Sequence, residues 1–170
     1  MTTAPTFLNF AYGSNMLTRR LRERVPSARP VTVAVLVGYE LRWHKVSQDG
    51  SGKCDVVQVN ASQAKVVGVV YEILVSEKAA LDAAEGLGNG YAERQVVLKT
   101  EGGELQAQTY YATNIESSQV PYTWYKALVV AGAKEHGLPE EYVSAIEAVA
   151  TKADTNASRA EKNFGIANAG

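Results

Sequence analysis

The sequence is poor in the residues from which many sites are built. A single cysteine, Cys54, and two histidines, His44 and His136, stand among 170 residues. One cysteine excludes an internal disulfide and cannot supply a cysteine cluster for zinc. The histidines show neither H-x-x-x-H nor H-E-x-x-H spacing, so a metal would have to be held almost wholly by carboxylates, and none is expected. Charge of one sign is also lacking. Seventeen Lys and Arg against 18 Asp and Glu leave a formal charge of −1, which gives no footprint for nucleic acid or an anionic membrane. The short cluster Arg19, Arg20, Arg22 and Arg24, interleaved with Leu21 and Glu23, reads as the solvated face of a helix. Long apolar runs are missing too. The stretch 31–41 is too short to span a bilayer, and residues 1–6 have neither the charged nor the apolar region of a signal peptide. A cytoplasmic protein is expected.

What is present fits one globular domain. With 46% hydrophobic and 21% charged residues, the composition is ordinary, and folding should bury roughly 70% of the extended surface. Residues 7–12 form a short apolar strand that stops at Gly13-Ser14-Asn15, and a helix carrying Met16, Leu17 and Leu21 continues until Pro26. The runs 31–37 and 39–44 flank Gly38 as one bent strand or a pair. Asp49-Gly50-Ser51-Gly52 reads as a loop or hairpin tip. Further strands are expected at 56–59, 66–74, 95–99 and 105–111. Between them Ser76 is a candidate N-cap for a short helix that reaches Glu85 and is broken by Gly86, Gly88 and Gly90. The last third is helical: Trp124, Leu128 and Ala131 share a face, His136-Gly137-Leu138-Pro139 stops that helix, and another runs to about Ala150. The pattern predicts an α+β fold, a mixed β-barrel of about six to seven strands with flanking α-helices, over residues 1–150. Residues 151–170 are polar and alanine-rich, and a loosely held tail is expected there.

Three features carry possible chemistry. A strand feeding into Gly13-Ser14-Asn15 gathers backbone N–H groups that could hold a carboxylate or an oxyanion. Glu85 ends a short helix, where the helix dipole disfavours an anion and burial would add to that effect, as suits a proton-transfer group. Tyr110, Tyr111, Tyr122, Trp124 and Tyr125 form an aromatic group. By spacing alone each has a plainer reading: a capped turn, a surface glutamate, and core packing. The run Gly86-x-Gly88-x-Gly90 comes after a helix and lacks the G-x-G-x-x-G spacing of a nucleotide loop. A hydrolase with Ser14 as nucleophile would need His44 or His136 as its base, and G-x-S-x-G is absent.

Taken together, the segments resemble the γ-glutamylcyclotransferase family over most of the chain. The resemblance rests on Phe10-Ala11-Tyr12-Gly13-Ser14-Asn15-Met16-Leu17, then Pro26-Ser27-Ala28, then Gly68-Val69-Val70-Tyr71. It continues through Leu81-Asp82-Ala83-Ala84-Glu85-Gly86 and Tyr91. Tyr125-Lys126 and Gly132-Ala133-Lys134-Glu135-His136-Gly137-Leu138-Pro139 are especially similar to the animal-type enzyme. The resemblance implies a compact barrel with flanking helices, a lone catalytic Glu85, and no metal or cofactor. It also implies a γ-glutamyl pocket lined by Asn9, Phe10, Ala11, Tyr12, Gly13 and Ser14, with Tyr125 touching a small-molecule γ-glutamyl substrate. No nucleic-acid or membrane partner is implied, and a homodimer is, since members of the family include homodimers. The loop between Glu85 and Tyr91 is one residue shorter than in the animal-type enzyme, and segment 46–55 does not align.

The implied reaction closes a five-membered lactam, 5-oxoproline, as the substrate's α-amine attacks its own γ-carbonyl. Tethering of this kind is worth about 7–11 kcal/mol, so no protein nucleophile is required. Protons are the remaining obstacle: a carboxylate near 4.3 facing an ammonium near 8 is a poor base by about 5 kcal/mol. One carboxyl could then serve as base and afterwards as acid. The leaving group stays open between an amino acid, glutathione's dipeptide, an amine and a protected biosynthetic intermediate. A γ-glutamyl-binding module without catalysis is a further alternative.

Overall fold

The computed structural model of the chain describes residues 2–169. Seven strands are present: β1 (Thr6–Ala11), β2 (Arg29–Val37), β3 (Tyr39–Val46), β4 (Gly52–Gln58), β5 (Lys65–Leu74), β6 (Tyr91–Thr100) and β7 (Gly103–Ala112). Five of them close a barrel in the order β1-β5-β2-β6-β7, while β3 and β4 form a separate two-stranded sheet. The helices are α1 (Thr18–Arg24), α2 (Lys78–Glu85), α3 (Thr123–Glu135), α4 (Glu140–Glu147) and α5 (Ala157–Asn168). The expected α+β barrel with flanking helices is therefore the observed one. Gly38 separates two strands and does not bend one.

The burial of each strand reflects its place. β5 lies between β1 and β2, antiparallel to both. Its Val66, Val67, Val69, Val70 and Tyr71 are at most 2% exposed, the near-continuous apolar run expected of a strand covered on both faces. β6 alternates instead: Val96 and Leu98 point inward while Val97 is 54% exposed, the period of a strand with one wet face. The barrel closes where β1 meets β7 in parallel at Asn9 and Gln108. Each fully buried Leu, Val or Ile contributes about 1.5–3 kcal/mol. α3 packs on the short 3₁₀ segment Ser14–Met16 and on α4 and α5.

Two expectations are corrected. Ser76 does not cap α2; a 3₁₀ turn over Val75–Glu77 leads into that helix, and Glu77 is its N-cap. The expected loose tail over 151–170 is not found in its described part, 151–169, which contains α5 docked on α3. Ala160, Phe164, Ile166 and Ala167 pack on the core, and polar contacts add to them. Arg159 grips Asp154 at 2.6 and 2.7 Å, Trp124 Nε1 donates to Asp154 at 2.8 Å, and Asn156 caps the helix through the Arg159 N–H. Arg19 donates to the carbonyls of Ile166 and Ala167. Ala160, Phe164 and Ala167 recur at helical spacing, a short apolar signal diluted by the polar residues around it.

Candidate active site

β1 pairs with β5 as far as Ala11 and Val69, and the chain then turns at Gly13. A Cβ there would stand 3.0 Å from the Tyr125 hydroxyl and 3.1 Å from Cys54 Cβ, so glycine permits the close approach of this backbone to both. The N–H groups of Met16 and Leu17 close the 3₁₀ turn onto Gly13 and Ser14 at 3.1 and 3.2 Å. The N–H groups of Ser14 and Asn15 precede that ladder and have no acceptor among the described residues. They are open donors.

α2 delivers Glu85 from the other side. Gly86, left-handed at φ +73°, ends the helix, with Gly86 N–H bonded to Ala83 and Leu87 N–H to Asp82, a Schellman closure. Glu85 Oε1 accepts from Asn15 Nδ2 and lies 3.5 Å from Arg24 Nη1, which donates to Asn15 Oδ1 at 2.9 Å. The reading of the arginine cluster as a solvated face is thus corrected. Arg24 and Asn15 bracket Glu85, Arg19 holds α5, and Arg20 is half-buried beside Asn163. Beside the helix end, an amide donor and a guanidinium thus stand against the Glu85 carboxyl.

These groups meet in a cleft of about 50 Å³. Asn9, Phe10, Ala11, Tyr12, Gly13 and Ser14, all expected in the site, line it together with Glu85 and Tyr125. Asn9 Oδ1 accepts from Gln108 at 3.1 Å, the Phe10 carbonyl from Thr109 at 2.9 Å, and Tyr12 donates to the Tyr110 carbonyl at 2.6 Å. Tyr91 donates to the Cys54 carbonyl at 2.7 Å, and the Cys54 N–H donates to the Tyr125 hydroxyl at 3.1 Å. The Tyr125 hydroxyl also meets the Cys54 thiol while lining the cleft.

Burial pushes Tyr12, Tyr91 and Tyr125 well above the usual phenol range, and pushes the Cys54 thiol up to about 12. This wall offers neutral hydroxyls and an un-ionised thiol, which is no nucleophile at neutral pH. Among the described residues Glu85 is the one carboxylate lining the cleft. No group of three or more His, Cys, Asp or Glu gathers there or elsewhere among them as metal ligands would. Neither histidine lines the cleft: His44 Nε2 meets Asp55 at 2.7 Å and His136 Nε2 meets the Tyr71 hydroxyl at 3.1 Å. Ser14 therefore has no histidine base. Sequence reasoning did not place Arg24, Cys54 or Tyr110 at the site, and it assigned no role there to Asn15 or Tyr91, although both stand inside the motifs that carry the resemblance. A larger groove of about 440 Å³ between the β3–β5 region and α4, at Leu41, Val67 and Tyr142, gathers no such constellation.

Barrel, turn and carboxylate define a class: the profile of the AIG2-like family matches residues 65–146, a span from β5 through α4 that includes Glu85 and Tyr125. The chain is 37% identical over 157 residues to a mouse γ-glutamylcyclotransferase and 38% identical over 150 residues to the human one. Each match covers 85% of this chain and 79% of the relative. A solved γ-glutamyl cyclotransferase superposes with a TM-score of 0.86 at 34% identity, covering 98% of this chain and 100% of its own. The chain belongs to the γ-glutamylcyclotransferase family. A yeast γ-glutamyl cyclotransferase specific to glutathione shares the fold at 12% identity and a TM-score of 0.54, covering 96% of each chain. Among the described residues no helix is long and apolar enough to cross a membrane.

Proposed function

We propose that the chain is a γ-glutamylcyclotransferase that converts a small γ-glutamyl compound to 5-oxoproline and releases the amine or amino acid bound at the γ-carbonyl. The observation that carries this reading is the meeting of Glu85 with the open donors of Ser14 and Asn15 in one cleft, in a chain of this family. The free N–H groups and the Tyr125 hydroxyl bind the γ-glutamyl moiety through its carboxylate or its reacting carbonyl oxygen. Asn15 and Arg24 hold the Glu85 side chain against that moiety.

The α-ammonium gives one proton to the Glu85 carboxylate and becomes the nucleophile. Its nitrogen bonds to the γ-carbon, and the carbonyl oxygen takes the electron pair as an oxyanion. Collapse restores the carbonyl and breaks the old C–N bond. Glu85 returns that proton to the departing nitrogen and then relays the second proton from the new ring nitrogen to the released amine, which leaves as an ammonium, so one carboxyl alternates between base and acid. Because the attack is intramolecular, the protein contributes alignment and proton transfer and forms no covalent intermediate.

A cytoplasmic setting fits the free, buried thiol of Cys54. The test is 5-oxoproline release from L-γ-glutamyl-L-alanine and from glutathione, by wild type and by Glu85→Gln. Release that depends on Glu85 is expected from at least one of them. A Gln variant with near-native turnover would remove Glu85 from the mechanism, and intact binding without turnover of a wider γ-glutamyl panel would favour a binding module.

A further inference from the structure

Lys45 is a buried lysine with no anion beside it. It lies in β3 at 9% exposure. The other half-buried lysines have partners: Lys53 pairs with Asp49 at 2.8 Å, Lys78 with Asp82 and Glu93 at 3.0 Å each, and Lys126 donates to the Glu147 and Val149 carbonyls at 2.8 and 3.0 Å. Lys45 Nζ has no carboxylate partner and no hydrogen-bond acceptor among the described residues. Its nearest feature is the Tyr91 ring, 4.7 Å to the centroid. A side chain beginning at Gly90 would come within 3.3 Å of Nζ, so the ammonium rests against the loop that joins Glu85 to Tyr91. Tyr91 lines the cleft and is bonded to Cys54, another lining residue. Lys45 is also close enough for the Glu85 and Asp49 charges to act on it, while burial weakens its hold on its proton.

An ammonium taken partly out of water without a counter-charge is unfavourable, and the cost is recovered when an anion arrives. The cleft itself holds about 50 Å³; a single buried water needs roughly 10–15 Å³ on that scale, so it accommodates the head of a small ligand and leaves the remainder on the rim. The γ-glutamyl head is taken by the open donors near Ser14. The β3–β4 hairpin borders the cleft at Cys54, and Lys45 on that hairpin rests against the lining Tyr91, so a leaving group that follows this edge reaches the ammonium.

We infer that Lys45 is a specificity-determining residue that binds the carboxylate of the departing amino acid or peptide, so that the enzyme takes γ-glutamyl amino acids or peptides in preference to γ-glutamyl amines. The inference rests on the γ-glutamyl reading of the cleft. A charge-assisted contact to the leaving group fixes the orientation of the departing nitrogen as well as its affinity.

The test compares L-γ-glutamyl-L-alanine with L-γ-glutamyl-ethylamide, which differ by the one carboxylate. Wild type should favour the alanine compound in kcat/KM, and Lys45→Met should shrink that ratio roughly 10- to 100-fold. Lys45→Arg should restore part of it. A purely structural lysine would lower both substrates alike and leave the ratio unchanged, and that result overturns the inference. Lys45→Gln serves as a second neutral variant should the Met protein fail to fold by circular dichroism. Calorimetric binding of both compounds to wild type and variants separates the two readings. If neither compound is turned over yet the carboxylate preference in binding depends on Lys45, the cyclotransferase reading falls and the Lys45 site stands. If binding shows no such preference, the Lys45 site falls.

Discussion

The two walls of the cleft are built by different means. β1 is paired on both sides, by β5 and by β7, so the backbone from Asn9 to the Gly13 turn is fixed by the barrel itself. The opposite wall is composite, with Glu85, Tyr91, Tyr110 and Tyr125 joined by Cys54 of the β3–β4 hairpin, whose strands pair with each other and, at one isolated bridge, Lys45 with Ile115. That hairpin is strapped on by single contacts: Tyr125 and Tyr91 to Cys54, Tyr122 to the Asp49 carbonyl at 2.6 Å, Lys152 to the Gly50 carbonyl at 2.7 Å, and Asp55 to the Ala112 N–H at 2.7 Å. A wall set by strand register tolerates little change, whereas a strapped wall can change its side chains one at a time. The open donors therefore sit on the first wall, α2 brings Glu85 across to them, and the hairpin is where we place the choice of leaving group.

Substitutions should break this contrast in a definite order. Glu85→Gln keeps the shape and removes the transferable proton site. We expect kcat for 5-oxoproline release to fall roughly 10²–10⁴-fold while calorimetric affinity for a γ-glutamyl compound changes little. Loss of affinity equal to the loss of rate would mean that Glu85 binds and does not transfer protons. Gly13→Ala strikes the rigid wall, where the added methyl meets Tyr125 and Cys54. A drop of about 100-fold in kcat/KM is expected if the turn cannot yield; a near-native rate would show that the barrel is softer than its pairing suggests. Tyr125→Phe removes the hydroxyl that both straps Cys54 and lines the cleft, and about 5- to 10-fold in kcat/KM should be lost, mostly through KM. Unchanged constants would assign Tyr125 to packing.

The smallest effect lies outside the cleft. Arg159 beside Asp154 holds that carboxyl well below the usual carboxylate range. Its folded value thus lies under the unfolded value of about 3.9, so the stabilisation is complete above that pH and is lost as pH falls through it towards the folded value. Hydrogen exchange in α5 should quicken on acidification below about pH 4. In Asp154→Asn it should be faster throughout and insensitive to that change. Exchange in β1 should stay as it was, since its pairing does not depend on this carboxyl.

The same contrast explains what the sequence disclosed. β1 was legible because an apolar run ends in Gly-Ser-Asn, and Glu85 because a helix stops at Gly86. Both are local signals with a local cause. Arg24 and Asn15 were not legible as partners of Glu85, since the pairing joins residues 9, 61 and 70 positions apart through the barrel, and an arginine on α1 looks the same whether it faces water or a carboxylate. Cys54 and Lys45 sit in or beside the segment that resembled its relatives least, on a hairpin whose placement depends on tyrosines from β6 and α3. α5 escaped notice because its apolar stripe is only Ala160, Phe164 and Ala167, and much of its hold comes from arginine, asparagine and aspartate, which apolar periodicity does not register.

The parallel meeting of β1 with β7 has a consequence in time. Asn9 cannot find Gln108 until the chain has been made well past that point, and Tyr125 emerges later still. At a synthesis rate of about 5–20 residues per second, the first strand waits on the order of several seconds for its neighbours. Pairings of such sequence separation are slow to form even in a complete chain. The nascent polypeptide therefore carries the Tyr12-Gly13-Ser14-Asn15 turn early and without a pocket around it, and cyclising activity should switch on abruptly, as one of the last events of folding.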